Sequence, residues 1–108
     1  MRAAILESAP GGVHVEEIPM PEPGAGEILV KVNACGVCHT DLHVMKAEVA
    51  FPTPAVMGHE ISGTVAALGA GVKSPAIGTK VVSAFIMRCG FCTPCGAGRG
   101  DLCHSFLA

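Results

Sequence analysis

Short stretches in which apolar and polar residues alternate account for much of the chain and predict β-strands. Residues 2–6 and 13–18 predict two strands on either side of the turn at 10–12, which reads Pro-Gly-Gly. Residues 27–33 give the most regular strand pattern, with Ile, Leu and Val leading into Lys-Val-Asn. Residues 61–68 and 78–85 predict two further strands, with a Gly-Ala-Gly turn after the first.

Helical periodicity is confined to one short segment. Leu42 and Met45 have i, i+3 spacing, so we predict a short helix within 38–46. The prolines of 19–26 predict an irregular connector, and Pro52 and Pro54 predict that 47–58 is a loop. Short strands with abundant glycine and proline indicate a mainly β fold, either a barrel or a sandwich.

Composition excludes several classes of function. The 108 residues carry a formal charge of −2 with no basic run, so we expect neither nucleic acid nor an anionic membrane as a partner. No apolar run is long enough for a signal peptide or a membrane span, and six cysteines then suggest a reducing cytoplasm. The mean hydropathy of +0.53 is high for a small domain and predicts an apolar face that something else covers. We therefore expect a fragment of a longer chain.

Four cysteines stand close together in the stretch C-G-F-C-T-P-C-G-A-G-R-G-D-L-C. The C-x2-C-x2-C-x7-C spacing is typical of a structural zinc site with four thiolates. The stretch contains few apolar residues, so a metal would have to hold this lobe, residues 88–104, together. Two disulfides are the alternative, but closely repeated C-x2-C pairs favour a metal. The proposed ligands are Cys89, Cys92, Cys95 and Cys103.

A second group of metal-ligand residue types lies at the ends of predicted strands. Cys38 and His59 are a thiol and an imidazole on separate loops, and a catalytic zinc keeps three protein ligands and one open position. A redox pair of Cys35 and Cys38 is the alternative, but no βαβ unit with a long helix follows it. His14 stands alone on a predicted strand, where we expect a surface position.

Four motifs in order resemble the zinc-containing alcohol dehydrogenases of the medium-chain dehydrogenase/reductase superfamily. They are C-G-V-C-H-T-D-L-H from position 35, G-H-E from 58, G-T-V-x-x-L-G-x-G-V from 63, and the four-cysteine lobe. The resemblance implies that 1–108 is the N-terminal part of a catalytic domain, a GroES-like, partly open β-barrel with short helices and an irregular zinc lobe. The implied activity is reversible oxidation of a small alcohol to an aldehyde or ketone, with hydride transfer to NAD or NADP.

The resemblance also implies roles for individual residues. Cys38 and His59 would bind the catalytic zinc, with Glu60 as an acidic neighbour or transient ligand. Thr40 would take the proton of the alcohol, and His43 would pass it to water. His39, together with Thr40 and His43, would contact the cofactor. Asp41 would orient the imidazole of a zinc ligand, and Cys35 would be a packing residue. The structural zinc would be bound by Cys89, Cys92, Cys95 and Cys103.

Three features depart from that family pattern. No third ligand for the catalytic zinc and no G-x-G-x-x-G cofactor fingerprint are present, and Thr79 replaces a turn acid. We therefore expect activity only together with a Rossmann cofactor domain that this chain lacks, in a homodimer or homotetramer. A free-standing zinc-binding interaction module is the alternative, but it leaves the second ligand group unexplained. A zinc-free quinone reductase relative is disfavoured because both ligand groups are present.

Overall fold

The computed structural model describes residues 1–106, which form six strands and three short helices. The strands are β1 (Arg2–Leu6), β2 (Val13–Glu17), β3 (Ile28–Gly36), β4 (Ala55–Val56), β5 (Glu60–Leu68) and β6 (Lys80–Val82). The helices are α1 (His39–Met45), α2 (Thr93–Gly96) and a 3-10 helix at Gly100–Leu102. The predicted mainly β fold is confirmed. Within this range no helix has the length and apolar character needed to cross a bilayer.

Two three-stranded antiparallel sheets make up the fold, in the orders β2-β1-β4 and β3-β5-β6. Across residues 1–106 both sheets are open, which agrees with a partly open barrel. The longest pairing joins β3 to β5, and two register shifts interrupt it, between Leu29 and Val30 and between Val32 and Ala34. Such irregularities bend a strand and increase its twist. The sheet that carries the candidate site is therefore curved.

The apolar core is small and centres on β1. Ala3, Ile5 and Leu6 of this strand are buried, and Leu6 has no exposed surface at all. Val44 of α1 and Val65 of β5 are the other buried aliphatic residues within the described range. Many large apolar side chains are exposed instead, among them Val82 at 79% and Phe91 at 84%. The apolar surface predicted from the hydropathy is therefore present.

Some predicted boundaries are wrong, for local reasons. The strand predicted over 27–33 continues to Gly36, because its pairing with β5 runs on to Glu60. The strand predicted over 78–85 is only Lys80–Val82, because Ser83 turns its hydroxyl onto the start of β5. The loop 47–58 contains the unpredicted strand β4, which pairs with Ile5 and Leu6 of β1.

The short helix predicted within 38–46 is confirmed with a small change, and the turn at Thr79, which lacks the acidic residue of the family pattern, is closed by the backbone. Helix α1 begins at His39 rather than residue 38, because Cys38 is extended (φ −102°, ψ 154°) and serves as the N-cap. The turn that contains Thr79 closes through backbone hydrogen bonds, with the Thr79 amide donating to the Ala76 carbonyl (3.1 Å) and the Val65 amide donating to the Thr79 carbonyl (2.9 Å). The turn therefore holds without an acidic side chain at this position.

Candidate functional site

The second ligand group assembles where β3 ends and β5 begins. These antiparallel strands pair Gly36 with Glu60, so Cys38 follows one strand at the same edge where His59 precedes the other. One ligand atom each of Cys38, His59 and Glu60 lies within 4.8 Å of the others. A methyl group on Gly36 would overlap the Glu60 carboxylate, so the lack of a side chain at Gly36 leaves room for the carboxylate in this position. The structure therefore brings three predicted site residues together.

Asp41 links the two proposed zinc ligands. Its Oδ2 accepts the Cys38 backbone N–H at 3.1 Å, as an acidic residue in the first turn of a helix is well placed to do. Its Oδ1 lies 3.5 Å from Nδ1 of His59. The Asp41 side chain is only 13% exposed, so both contacts are partly shielded from water. A carboxylate behind an imidazole fixes the orientation of the ring and leaves the other nitrogen for a metal.

The environment of Cys38 favours its thiolate. The backbone N–H of Thr40, then the Thr40 hydroxyl and then His59 lower the pKa of this thiol. The Thr40 Oγ1 lies 3.6 Å from the Cys38 Sγ. Because the thiolate is the form that binds metal, this N-terminal turn of α1 suits a ligand.

Helix α1 also carries His43 of the predicted relay and His39, for which a cofactor contact was predicted. His43 lies one turn after Thr40, which is the spacing that puts two helical residues on one face. The rings of His39 and His43 lie 4.7 Å apart between centroids and are tilted by 44°. His43 is half-exposed, and its Nδ1 is hydrogen-bonded to the carboxylate of Glu48. Sequence reasoning did not single out Glu48.

Two clefts meet at this group. One has a volume of about 520 Å³ and contains Cys38, His59 and Glu60 in its lining. The other, of about 320 Å³, lies between α1 and the loop before β5. Thr40, His59 and Phe85 line both clefts. The second is mostly apolar; its lining includes Val44, Val49, Phe51, Val56, Met57 and Phe106. A small molecule in either cleft would touch the ligand group.

Two residues that hold His59 in place gave no signal in the sequence. The Ser83 hydroxyl donates to the His59 carbonyl at 2.9 Å and accepts the Ile61 amide at 3.1 Å. The Phe85 ring packs edge-on against the His59 ring, with 4.9 Å between centroids. These contacts join residues more than twenty positions apart, at the strand end that was predicted as continuous β structure.

The cysteine lobe gathers its four thiols at one point. The sulfur atoms of Cys89, Cys92, Cys95 and Cys103 all lie within 4.8 Å of one another, and none of them is in a disulfide among residues 1–106. A tetrahedral zinc with Zn–S bonds of about 2.3 Å requires sulfur separations of about 3.8 Å. The Cys92 and Cys103 sulfurs are 4.0 Å apart. The lobe therefore fits a four-thiolate zinc.

Thiol ionisation in the lobe is uneven. The backbone N–H of Phe91, then that of Cys92, lower the pKa of Cys89 to about 6. The backbone N–H of Gly90 also lowers the pKa of Cys95, but burial and the three neighbouring thiols outweigh it and raise the value to about 11. Neighbouring thiolates repel one another, which disfavours ionisation of all four thiols at once. A divalent cation bound between them would offset this repulsion.

Turns and burial agree with a lobe built around its cysteines. Gly90 (φ 87°) and Gly98 (φ 79°) take the left-handed conformation that favours glycine. Cys95 and Cys103 are the buried apolar residues of the lobe in the described range. The absence of larger buried side chains there supports the expectation that metal binding stabilises this segment.

The remaining predicted positions are exposed. His14 lies on the surface of β2, where its Nε2 is 3.1 Å from Glu16 and 4.0 Å from Glu7, as expected for a surface residue. Cys35 is exposed, and its sulfur lies against Gly58, where it leaves no room for a side chain. Gly58 itself has a φ of 105°. Glycine at position 58 therefore suits both its positive φ and the limited space beside the Cys35 sulfur.

Comparison with known proteins gives a consistent match. Residues 24–108 match the alcohol dehydrogenase GroES-like domain family. An L-threonine 3-dehydrogenase from Mesorhizobium japonicum is 39% identical over 111 residues, which cover 99% of this chain and 32% of that protein. The chain thus spans about a third of the length of this relative.

Two solved structures share the fold. An alcohol dehydrogenase zinc-binding domain protein from Burkholderia ambifaria is 40% identical, with a TM-score of 0.92 over 99% of this chain and 29% of that one. An acetophenone reductase from Geotrichum candidum, solved in complex with NAD, is 37% identical, with a TM-score of 0.86 over 96% of this chain and 30% of that one. At these identities the likeness extends beyond the fold to the family.

Proposed function

Because this chain belongs to the alcohol dehydrogenase GroES-like domain family, we propose that it is the N-terminal part of the catalytic domain of a zinc-dependent alcohol dehydrogenase. The observation that carries the proposal is the group formed by Cys38, His59 and Glu60 at the meeting point of two clefts. A cluster of four thiols whose spacing fits a structural zinc accompanies this group. The M. japonicum relative is a dehydrogenase, and the match covers about a third of its length.

We assign the following roles. Cys38 and His59 hold the catalytic zinc, with a third ligand from a later part of the full-length protein and Glu60 as acidic neighbour. A bound zinc ion supplies a Lewis acid that lowers the pKa of the alcohol hydroxyl. Thr40, whose Oγ1 lies 3.6 Å from the Cys38 Sγ, accepts the hydroxyl proton and passes its own towards His43. Asp41 keeps the His59 ring oriented.

The hydride acceptor is NAD or NADP, which performs the redox step. We propose that a Rossmann domain elsewhere in the full-length protein binds most of it, and that His39 contacts its pyrophosphate from α1. The acetophenone reductase structure with NAD bound supports this choice. That domain would also cover exposed apolar residues such as Val82. We expect the full-length enzyme to be a homodimer or homotetramer in the cytoplasm.

The lining of the second cleft favours an uncharged substrate. Its side chains are mostly aliphatic or aromatic, and its carboxylate, Asp41, is already engaged by Cys38 and His59. The M. japonicum relative is an L-threonine 3-dehydrogenase, and an amino-acid substrate carries a carboxylate that lysine or arginine commonly binds. The described lining offers no lysine or arginine. We therefore propose an alcohol, aldehyde or ketone with an apolar substituent.

The test is alcohol-dependent reduction of NAD or NADP by the full-length, zinc-loaded protein, followed by nicotinamide absorbance. Cys38→Ala should reduce kcat by a factor of about 10³ or more, since it removes a metal ligand. Cys35→Ala is the matched control, because Cys35 lies three positions earlier, is exposed and belongs to neither ligand group. Full activity of Cys38→Ala would refute the proposal.

A free-standing zinc-binding interaction module remains the alternative. It accounts for the cysteine lobe but gives no reason for Cys38, His59 and Asp41 to converge on a cleft. Zinc counting by native mass spectrometry separates the two. We expect two zinc ions per full-length chain and loss of one of them in Cys38→Ala.

A further inference from the structure

Helix α1 ends in an unusual left-handed turn. Ala47 has a φ of 58° and is the only non-glycine residue with positive φ in the part of the chain that the structure describes. Helices commonly end in such a residue, but it is usually glycine, because a Cβ in this conformation costs about 1–2 kcal/mol. The Ala47 amide donates to the Val44 carbonyl at 3.0 Å, and the Glu48 amide donates to the His43 carbonyl at 2.9 Å. The turn thus folds the chain back over the last turn of α1.

That reversal brings Glu48 against His43. The Glu48 carboxylate is hydrogen-bonded to Nδ1 of His43, so backbone and side chain of Glu48 both bind the same residue. Both side chains are about half exposed, which leaves the carboxylate in contact with water. The other ring close to His43 is that of His39, at 4.7 Å between centroids. Glu48 therefore provides the negative charge closest to the His43 ring among its described contacts.

A carboxylate on one imidazole nitrogen determines what the other nitrogen can do. An ionised carboxylate only accepts hydrogen bonds, so Nδ1 of His43 must carry a proton. In a neutral ring Nε2 then has the free lone pair. The same logic operates wherever an acidic residue selects the tautomer of a histidine that acts as a base.

We propose that Glu48 is a positioning residue that holds His43 as the Nδ1–H tautomer, so that Nε2 accepts the proton released during alcohol oxidation. The inference rests on the relay role proposed for His43. As the Thr40 hydroxyl takes the proton of the substrate, it passes its own towards Nε2, and the ring becomes an imidazolium once that proton arrives. The imidazolium, stabilised by the Glu48 carboxylate, then loses its Nε2 proton to water, which restores the Nδ1–H form, so one proton reaches solvent for each alcohol oxidised.

The first measurement is the tautomer of His43, read from the ring nitrogen shifts of isotope-labelled histidine in the zinc-loaded full-length protein. The pH is set where the ring is neutral. We expect the Nδ1–H form in the wild type and in Glu48→Asp, and a substantial fraction of Nε2–H in Glu48→Gln. A wild-type ring in the Nε2–H form would overturn the proposal. This readout does not require dehydrogenase activity, so its failure is distinct from failure of the proposed function.

The second measurement is steady-state kinetics of the same variants. We expect Glu48→Gln to lower kcat about tenfold or more with KM within about twofold, because a correctly oriented base contributes roughly 10²–10⁴ to such rates. Glu48→Asp keeps the carboxylate and should retain most of kcat. Glu22→Gln is the control, since Glu22 is exposed and has no ion pair within the described residues. A shifted tautomer with an unchanged kcat would overturn the positioning role and leave a structural ion pair.

Discussion

Asp41 provides the sharpest test of the proposed catalytic zinc site, because one carboxylate contacts both proposed ligands. Its Oδ2 accepts the Cys38 amide at 3.1 Å, and its Oδ1 lies 3.5 Å from the His59 ring. Asp41→Asn keeps a hydrogen-bond acceptor for the amide but removes the charge behind the imidazole. Asp41→Ala removes both. The two variants should therefore weaken zinc binding to different extents.

The magnitude follows from these contacts. A hydrogen bond to a charged group contributes about 1.5–3 kcal/mol, and a neutral one about 1 kcal/mol. Loss of the charge alone, in Asp41→Asn, should weaken the free energy of zinc binding by about 1–2 kcal/mol. This corresponds to a zinc affinity lower by about 5- to 30-fold. Complete removal of the carboxylate should cost about 2–3 kcal/mol, or roughly 30- to 150-fold. These values agree with the effect usually seen when a partner of a ligand histidine is removed.

Competition with a chromophoric chelator measures both zinc sites in the full-length enzyme. Only the site formed by Cys38 and His59 should lose affinity in Asp41→Asn, and the four-cysteine site should be unchanged. Asp101→Asn is the matched control, because Asp101 is exposed and its partner is Arg99, 2.8 Å away in the cysteine lobe. Equal zinc affinity in Asp41→Ala and Asp101→Asn would refute the role given to Asp41.

Two further predictions concern the fold and the cysteine lobe. A methyl group on Gly69 would overlap the Gly24 carbonyl and lie 3.0 Å from the Glu27 carbonyl. Gly69→Ala should therefore lower the free energy of unfolding, measured by chemical denaturation, by about 2–3 kcal/mol. The control is Gly12→Ala, whose methyl group would meet nothing within 4 Å and should change the free energy of unfolding far less. Near pH 7.5, zinc binding to the lobe should release the proton of Cys95 (pKa about 11) but not that of Cys89 (pKa about 6). The apparent affinity should therefore rise with pH by fewer than four decades per pH unit, and a slope of four would contradict this ionisation pattern.

The strand pattern and the ligand spacing were predictable from sequence because both are local. Alternation at 2–6, 13–18, 27–33 and 61–68 predicted four strands that the structure contains, and the cysteine spacing predicted a cluster that it brings together. The short strand β4 was missed because Pro52 and Pro54 argue against β structure, while its two residues pair with β1 through contacts that no local pattern reveals.

The residues that hold the site residues in place were less predictable than the proposed ligands. Ser83 and Phe85 lie in a stretch that reads as a continuous strand, yet both contact His59 from a distance of 24 or more positions along the chain. Glu48 contacts His43 only because Ala47 adopts a left-handed conformation that its residue type disfavours. In each case tertiary structure decides a contact that residue type alone does not.

The pairing of β3 with β5 holds the proposed metal ligands, whereas the loop between the two strands lines the apolar cleft. Cys38 and His59 are twenty-one positions apart in the sequence, yet the strands on either side hold them at one edge of the sheet. The chain between them forms α1 and the loop that lines the apolar cleft. Substitutions in the part of that loop outside β4 do not touch the pairing of β3 with β5, which holds the proposed metal ligands. During evolution this architecture lets the lining of the cleft change while the proposed metal ligands keep their positions.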